Sequence, residues 1–320
     1  MIKKTLCFSN PAYLSLRNRQ LVIRLPEVET CSRIDEAFKQ VSQHTIPIED
    51  IGVVVIEHQR ITISSGLLEA LLENNCAVIT CDGRSLPVGL LLPLCGNTTQ
   101  SERFRHQLDA SVPLRKQLWQ QTVRQKILNQ TSVLLRYTCQ ETRCMNTWAA
   151  EVKSGDTQNM EARAAAYYWK HLFTNIPNFV RDREGAPPNH LLNYGYAVLR
   201  AVMARSLVIS GLLPTLGIHH HNRYNAYCLA DDMMEPYRPY VDELVLDIIS
   251  KVDDYTPLTK EIKMMLLTIP TIDVTIEGKR SPLMVCCLTN NGIAIQMLHG
   301  RTASGGVARN LKDNGYFRTI

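Results

Sequence analysis

No stretch of this chain approaches the roughly 18 consecutive apolar residues of a membrane span, which argues against a transmembrane protein. The opening Met1-Ile2-Lys3-Lys4-Thr5 leads into a short apolar run that lacks the h-region of a secretory signal, so a cytoplasmic protein is expected. No two of the ten cysteines stand in a CxxC pair, and the usual zinc-ribbon spacing is therefore absent. Many of them lie in apolar stretches such as Met284-Val285-Cys286-Cys287-Leu288, where cysteine acts as a small hydrophobe in a reduced core. There is no internal repeat. Charge of neither sign dominates: the net charge of +5 permits nucleic acid as a partner without demanding it, since basic residues also serve as a solvated face.

What is present is an ordinary globular composition, 45% hydrophobic and 20% charged over 320 residues, long enough for two domains. The two halves differ in period. Up to about Leu94 the chain reads as short Val- and Ile-rich strands at Thr5–Phe8, Gln20–Leu25, Gly52–Glu57, Arg60–Ser64 and Ala77–Cys81. One serine-capped helix, Ser65–Glu73, interrupts them. The polar run Gly96-Asn97-Thr98-Thr99-Gln100-Ser101-Glu102 marks a boundary. Beyond it the spacing predicts helices over Lys116–Tyr137, Met160–Phe173, Asn189–Leu212, Tyr240–Val252 and Lys260–Ile269. Ser281–Met297 reads as a further helix, although its apolar run suits a strand equally. The expected architecture is α+β: a mainly β domain over 1–95, a linker over 96–104, a larger all-α domain over 105–302, and a loosely ordered tail over 303–320.

The helical half carries the chemistry-bearing residues. His219-His220-His221 follows the bend after Gly211 and Pro214, and Ala230-Asp231-Asp232-Met233-Met234-Glu235-Pro236 follows shortly after. Imidazole and carboxylate suit a divalent cation acting on phosphate. Asp232 and Glu235, three apart, share a helical face, and Pro236 is expected to stop the helix and leave Glu235 at an exposed end. Taken alone, such a set also suits solvated surface. A third carboxylate, Glu161, falls in the first turn of an alanine-rich helix, where it would either enter a helical cleft or simply complement the helix N-terminus.

Five short motifs then occur in order. They are Gly155-Asp156 with Asn159, Glu161-Ala162 and Ala164-Ala165; Asn193-Tyr194-Gly195-Tyr196-Ala197; Gly211-Leu212 with Pro214; Gly217 with His219-His220; and Asp232 with Glu235-Pro236-Tyr237-Arg238-Pro239. In this order they resemble the CRISPR-associated endonuclease/integrase, the first Cas protein of the adaptation machinery. Cys81-Asp82-Gly83-Arg84-Ser85-Leu86-Pro87 resembles the turn that closes that family's β domain, so the resemblance spans nearly the whole chain. Chain length and the Met234-Glu235-Pro236-Tyr237-Arg238-Pro239 ending are most similar to the version in type II systems.

The resemblance implies that Glu161, His220 and Glu235 are the catalytic residues and ligands of Mg²⁺ or Mn²⁺, with Asp232 auxiliary. It implies joining of the 3′-hydroxyl ends of short foreign DNA to the repeat of a CRISPR array. A structure-selective repair nuclease would use the same ligands, and a non-catalytic DNA-binding scaffold would not need them. The implied partners are double-stranded DNA (incoming spacer and repeat), a second copy of the chain, and the second Cas protein, whose dimer two such homodimers flank. Arg84, Arg115, Lys116, Arg124, Lys126 and Arg238 are candidate phosphate contacts, the long-helix set serving equally well as a solvated amphipathic face. His219 and His221 are expected to meet solvent or DNA, and Trp119, Tyr167 and Tyr168 to lie in the core or an interface.

Overall fold

Ile51–Ile56 contains no polar side chain, and such a run belongs in the middle of a sheet covered on both faces. The computed structural model describes residues 3–31, 35–138, 140–276 and 279–288. The chain divides into two compact units between Gly96 and Asn97. In the first unit the strands are β1 (Lys4–Phe8), β2 (Ala12–Arg17), β3 (Gln20–Arg24), β4 (His44–Pro47), β5 (Ile51–Ile56), β6 (Ile61–Ile63), β7 (Ala77–Cys81) and β8 (Pro87–Leu91). They form two four-stranded sheets, ordered β1-β5-β7-β8 and β4-β3-β2-β6. The β5 strand lies parallel to both β1 and β7, and β8 closes that sheet antiparallel to β7. In the second sheet β2 and β3 form a hairpin whose two turn residues, Asn18 and Arg19, have φ of 50° and 57°. That double left-handed turn matches the twist of the strands it joins.

Among the described residues three α-helices accompany the sheets: α1 (Pro26–Glu29), α2 (Glu36–Val41) and α3 (Ser65–Glu73). Ser64 caps α3, its hydroxyl accepting the Leu67 N–H at 3.3 Å. Leu67 and Leu71, one turn apart, enter a core with Ala12, Leu14 and Leu21 of one sheet and Ile51, Val54 and Val78 of the other. Burial of each such leucine contributes about 2 kcal/mol. The five expected strands and the helix are present, with ends shifted by no more than a residue or so. Three further strands, β2, β4 and β8, carry too many polar or turn-forming residues (Ser15, Arg17, His44, Gly89) to announce themselves.

The second unit is built from α4 (Gln100–Leu108), α5 (Val112–Tyr137), α6 (Arg143–Glu151), α7 (Met160–Leu172), α8 (Asn189–Ile209), α9 (Cys228–Met234), α10 (Arg238–Lys251) and α11 (Lys260–Leu266). The fold class is thus α+β, a strand-rich unit followed by a helical one. The expectation of an all-α second domain needs one addition, an antiparallel hairpin of β9 (Asp273–Ile276) and β10 (Lys279–Pro282). Of the helix expected over Ser281–Met297, residues 281 and 282 belong to β10 and 283–288 are helical. The remainder, like the tail over 303–320, lies outside the described residues.

The linker expected over 96–104 is corrected by α4, which begins at Gln100. Several polar residues here are engaged, while Thr98, Thr99, Ser101 and Glu102 are exposed. Asn97 donates to the Ile209 carbonyl (2.9 Å), Arg103 to that of Ser210 (2.6 Å), and Gln107 to those of Leu213 and Leu216 (2.9 and 3.1 Å). They satisfy the carbonyls left over where α8 ends and the following turn begins.

At twenty-six residues, α5 is about 39 Å long. It starts at the Ser111 cap and packs against α6, α7 and α10. Its buried residues include Trp119, Val123, Ile127 and Leu134 but also Gln125, Asn129 and Gln130. The α8 helix is buried on nearly every side, and Gly195 lets α10 come close: a Cβ there would lie 2.5 Å from Val241. Among the described residues no helix is long and apolar enough to cross a membrane, and the nine described cysteines are all free thiols.

Candidate active site

Glu161 is placed by the turn before α7. The Asp156 carboxylate accepts the backbone N–H groups of Met160 and Glu161 at 2.9 and 3.0 Å, so the helix start is capped from outside and Glu161 falls in its first turn. Its side chain is largely covered and meets α5, where the Lys126 ammonium lies 2.6 Å from Glu161 Oε1.

Glu235 reaches the same ammonium from another element. The α9 helix does not stop at an exposed end, as the proline suggested. Glu235-Pro236-Tyr237 forms a 3₁₀ turn that runs straight into α10, and Glu235 is only 5% exposed. Pro236 fits because the first positions of a helical turn need no N–H. Asn129 of α5 fixes the turn by donating to the Pro236 carbonyl at 2.7 Å, and Gln125, one turn earlier, donates to the Asn129 side-chain oxygen at 2.8 Å. Glu235 Oε1 accepts from Arg238 Nε at 2.7 Å, while Oε2 faces Lys126 Nζ at 2.6 Å and accepts no hydrogen bond of ordinary geometry. Burial pushes the Glu235 carboxyl up, but the Arg238 and Lys126 charges outweigh it and hold it at about 2. Burial likewise pulls the Lys126 ammonium down, and Glu235 and Glu161 together reverse this and raise it.

His220 is placed by Asp232. That carboxylate, on α9, is wholly buried; its oxygens accept the backbone N–H groups of Ile218, His219 and His220 and meet His220 Nδ1 at 2.5 Å. One side chain thus organises the whole histidine loop. Gly217 makes the approach possible, since a Cβ there would sit 2.3 Å from the His220 carbonyl and 2.9 Å from the Asp232 carboxylate. With Nδ1 turned to Asp232, Nε2 is the ring atom left to bind a ligand. The hydrogen bond to Asp232 raises the His220 imidazole above its ordinary value against the effect of burial, and Glu235 and Glu161 add to it through space. His219 stacks flat on Trp119, ring centres 4.1 Å apart, and His220 meets the same indole edge-on at 5.6 Å. His221 is exposed.

The structure therefore brings Glu161, Glu235 and His220 into one neighbourhood without closing them into a shell. Among the described residues no group of three or more His, Cys, Asp or Glu side chains stands ready to hold a metal ion. A lysine lies between the two glutamates instead. Asp232 and Glu235, read as sharing one helical face, serve different partners: Asp232 the histidine loop, Glu235 the two basic residues.

The phosphate contacts expected along the long helix divide. Lys126 is 12% exposed and held by both glutamates rather than lying on an exposed face. Arg238 is mostly buried, bonded to Glu235 and stacked 4.6 Å over the Tyr196 ring. Arg115 is half-buried and lines a cavity of about 330 Å³ with His220, His221 and Arg223. Lys116, Arg124 and, in the first unit, Arg84 are exposed. Trp119 and Tyr168 are core residues, and the Tyr167 hydroxyl donates to the Glu141 carbonyl.

Sequence reading missed the layer behind the site. Asp242, 1% exposed, accepts the hydroxyls of Tyr168 and Tyr196. Burial pushes its carboxyl up to about 6 although both hydrogen bonds pull the other way. Through Tyr196 it backs Arg238. The available signal was Asn193-Tyr194-Gly195-Tyr196, a motif to which no role had been attached.

The family model described as CRISPR associated protein Cas1 matches residues 6–261. The CRISPR-associated endonuclease Cas1 of Neisseria meningitidis is 40% identical over 283 residues, covering 87% of this chain and 86% of the relative. Among solved structures, a casposase bound to integration product superposes with a TM-score of 0.72 at 17% identity, covering 95% of this chain and 92% of that one. A Cas6-RT-Cas1–Cas2 complex superposes at 0.70 and 19% identity, covering 94% of this chain and 35% of that one. Both share the fold. From the family match over most of its length and the identity to the Neisseria relative, the chain belongs to the Cas1 family of CRISPR-associated proteins.

Proposed function

We propose that this chain is a metal-dependent DNA endonuclease/integrase of CRISPR adaptation, which joins the 3′-hydroxyl ends of short foreign DNA to the repeat of a CRISPR array. One observation carries the reading: carboxylates from two separate elements, Glu161 and Glu235, converge on a single cation. The fit to a divalent ion is one of charge and donor type. Two carboxylates ion-paired with one ammonium form a site that demands positive charge, and His220, oriented by Asp232, adds a nitrogen donor beside them. Glu161, Glu235 and His220 would hold Mg²⁺ or Mn²⁺, the imidazole making Mn²⁺ the more comfortable of the two. When bound, such an ion supplies Lewis-acid polarisation of the scissile phosphate and stabilises charge on the leaving oxygen.

The chain's own residues do the rest. Asp232 keeps the His220 ring in one tautomer, and Arg238, bonded to Glu235, places a guanidinium where phosphate would lie. The new bond joins the incoming 3′-oxygen to the repeat phosphorus. The bond from that phosphorus to the 3′-oxygen of the flanking array nucleotide breaks; that oxygen leaves with the electron pair and takes up a proton, in place of the one the incoming hydroxyl gives up. One phosphodiester is made for each one broken, so no external energy source and no protein nucleophile are needed. With water in place of the 3′-hydroxyl the same site cuts, consistent with the endonuclease name of the Neisseria relative.

For partners we infer double-stranded DNA, a homodimer formed through the strand-rich unit, and Cas2, two such dimers flanking a Cas2 dimer. The integration product on the casposase and the Cas1–Cas2 complex support this. The test is insertion of a short duplex into a repeat-bearing plasmid with Cas2 present. Glu161→Ala, His220→Ala, Glu235→Ala and chelation are each expected to abolish joined product, and full integration by Glu161→Ala would sink the reading.

A further inference from the structure

Three observations centre on Lys126 of α5 and its partners. Lys126 is nearly covered although it lies on a long helix with other, exposed cations. Its ammonium is within 2.6 Å of one oxygen of each glutamate. And Glu235 Oε2, the atom it faces, is the oxygen that Arg238 leaves over. Arg238 already partners Glu235 through Oε1, so a second cation is not needed to neutralise that residue alone. What a second cation does is hold the two carboxylates, which belong to α7 and to the 3₁₀ turn, against one another.

We propose that Lys126 is a built-in counter-cation that occupies the divalent-ion position between Glu161 and Glu235 and must release them when the ion binds. This rests on the reading of the site as metal-dependent. Without a cation between them, two converging carboxylates in a covered site repel, and the site would open or take up protons. With Lys126 in place the site is assembled before any ion arrives. The cost is competition: an entering ion has to displace an ammonium ion-paired with two carboxylates. The flexible four-carbon stem allows that withdrawal, and the released ammonium remains beside the site as a donor for a phosphate oxygen. Lys126 is thus a positioning residue, acting through the two glutamates.

Direct Mn²⁺ titration of the full chain, followed by calorimetry and by melting with and without the ion, tests this without relying on activity. Lys126→Met is expected to bind Mn²⁺ about tenfold more tightly than the wild type, because the ammonium no longer has to be displaced from the two glutamates. Without metal its melting midpoint should fall by about 5 °C, and Mn²⁺ should restore it. Recovery of Lys126→Met only when Mn²⁺ is present is the same result in stronger form. If it fails to fold under either condition, Lys126→Gln decides the matter by the same two readouts. Lys126→Arg, which keeps the charge, should show no tightening. Equal Mn²⁺ affinity in wild type and Lys126→Gln would overturn the proposal, since Lys126 would then not compete with the ion, whatever its contribution to DNA binding. A wild-type chain that binds no Mn²⁺ at all would instead remove the metal site, and the proposal with it.

Discussion

The two units of this chain bury different things. Among the described residues of the strand-rich unit, one polar or charged side chain is buried, Glu57, and its core is aliphatic. The helical unit buries Gln125, Asn129, Arg205, Asp232, Glu235 and Asp242 along with its leucines and aromatics. Burying a charge costs free energy unless every partner is in place, so a core does not accumulate such groups for stability alone. The strand-rich unit shows how this sequence builds a core that holds no catalytic group. The helical unit shows the additional requirement of holding carboxylates and an imidazole at fixed positions.

That contrast can be broken at several points. The largest effect is expected from Asp232→Ala, which leaves three backbone N–H groups and His220 without their acceptor. A loss of about 4 kcal/mol in stability is expected, with integration abolished; a variant as stable as wild type would show that the carboxylate does not organise the loop. Leu71→Ala in the strand-rich core should cost about 3 kcal/mol yet leave Mn²⁺ affinity unchanged, as checked by denaturant unfolding and titration. If it altered Mn²⁺ affinity, the division of labour between the units would be wrong. Asn129→Ala should cost about 2 kcal/mol while lowering turnover more than that loss suggests, because it frees the turn bearing Glu235. A turnover that merely tracks the folded fraction would reduce Asn129 to a packing residue.

The smallest effect is one of pH. Asp242 titrates near 6 in the folded chain, against 3.8 for the free group. Between those values the folded state holds more protons than the unfolded one, so this residue makes stability fall as pH rises from about 4 to 6. Asp242→Asn should remove that decline from a series of melting curves. A decline that persists would assign it to another group.

Much of this was legible in the sequence, for identifiable reasons. The α3 helix announced itself because Ser64, the leucine spacing and Asn74-Asn75 agree on where it starts and ends. Glu161 stood out because a capping turn precedes an alanine-rich helix, and Glu235 because its motif is unusual. What remained hidden depended on the third dimension. The α5 helix buries polar residues as well as apolar ones, so its periodicity could not show that Lys126 faces inward while Arg124 faces out. Pro236 read as a helix stop because local rules weigh the missing N–H, whereas Asn129, 107 positions earlier in the chain, captures the carbonyl and keeps the turn going. The segment over 96–104 read as a linker because Asn97 and Arg103 serve carbonyls more than a hundred residues away.

The central claim is that the buried charge of the helical unit exists to hold a divalent cation. Mn²⁺ titration of Glu161→Gln beside the wild type tests it most directly. One tightly bound ion in the wild type, lost in Glu161→Gln while the melting midpoint without metal stays within a few degrees, is the result expected. Undiminished binding in Glu161→Gln would contradict it.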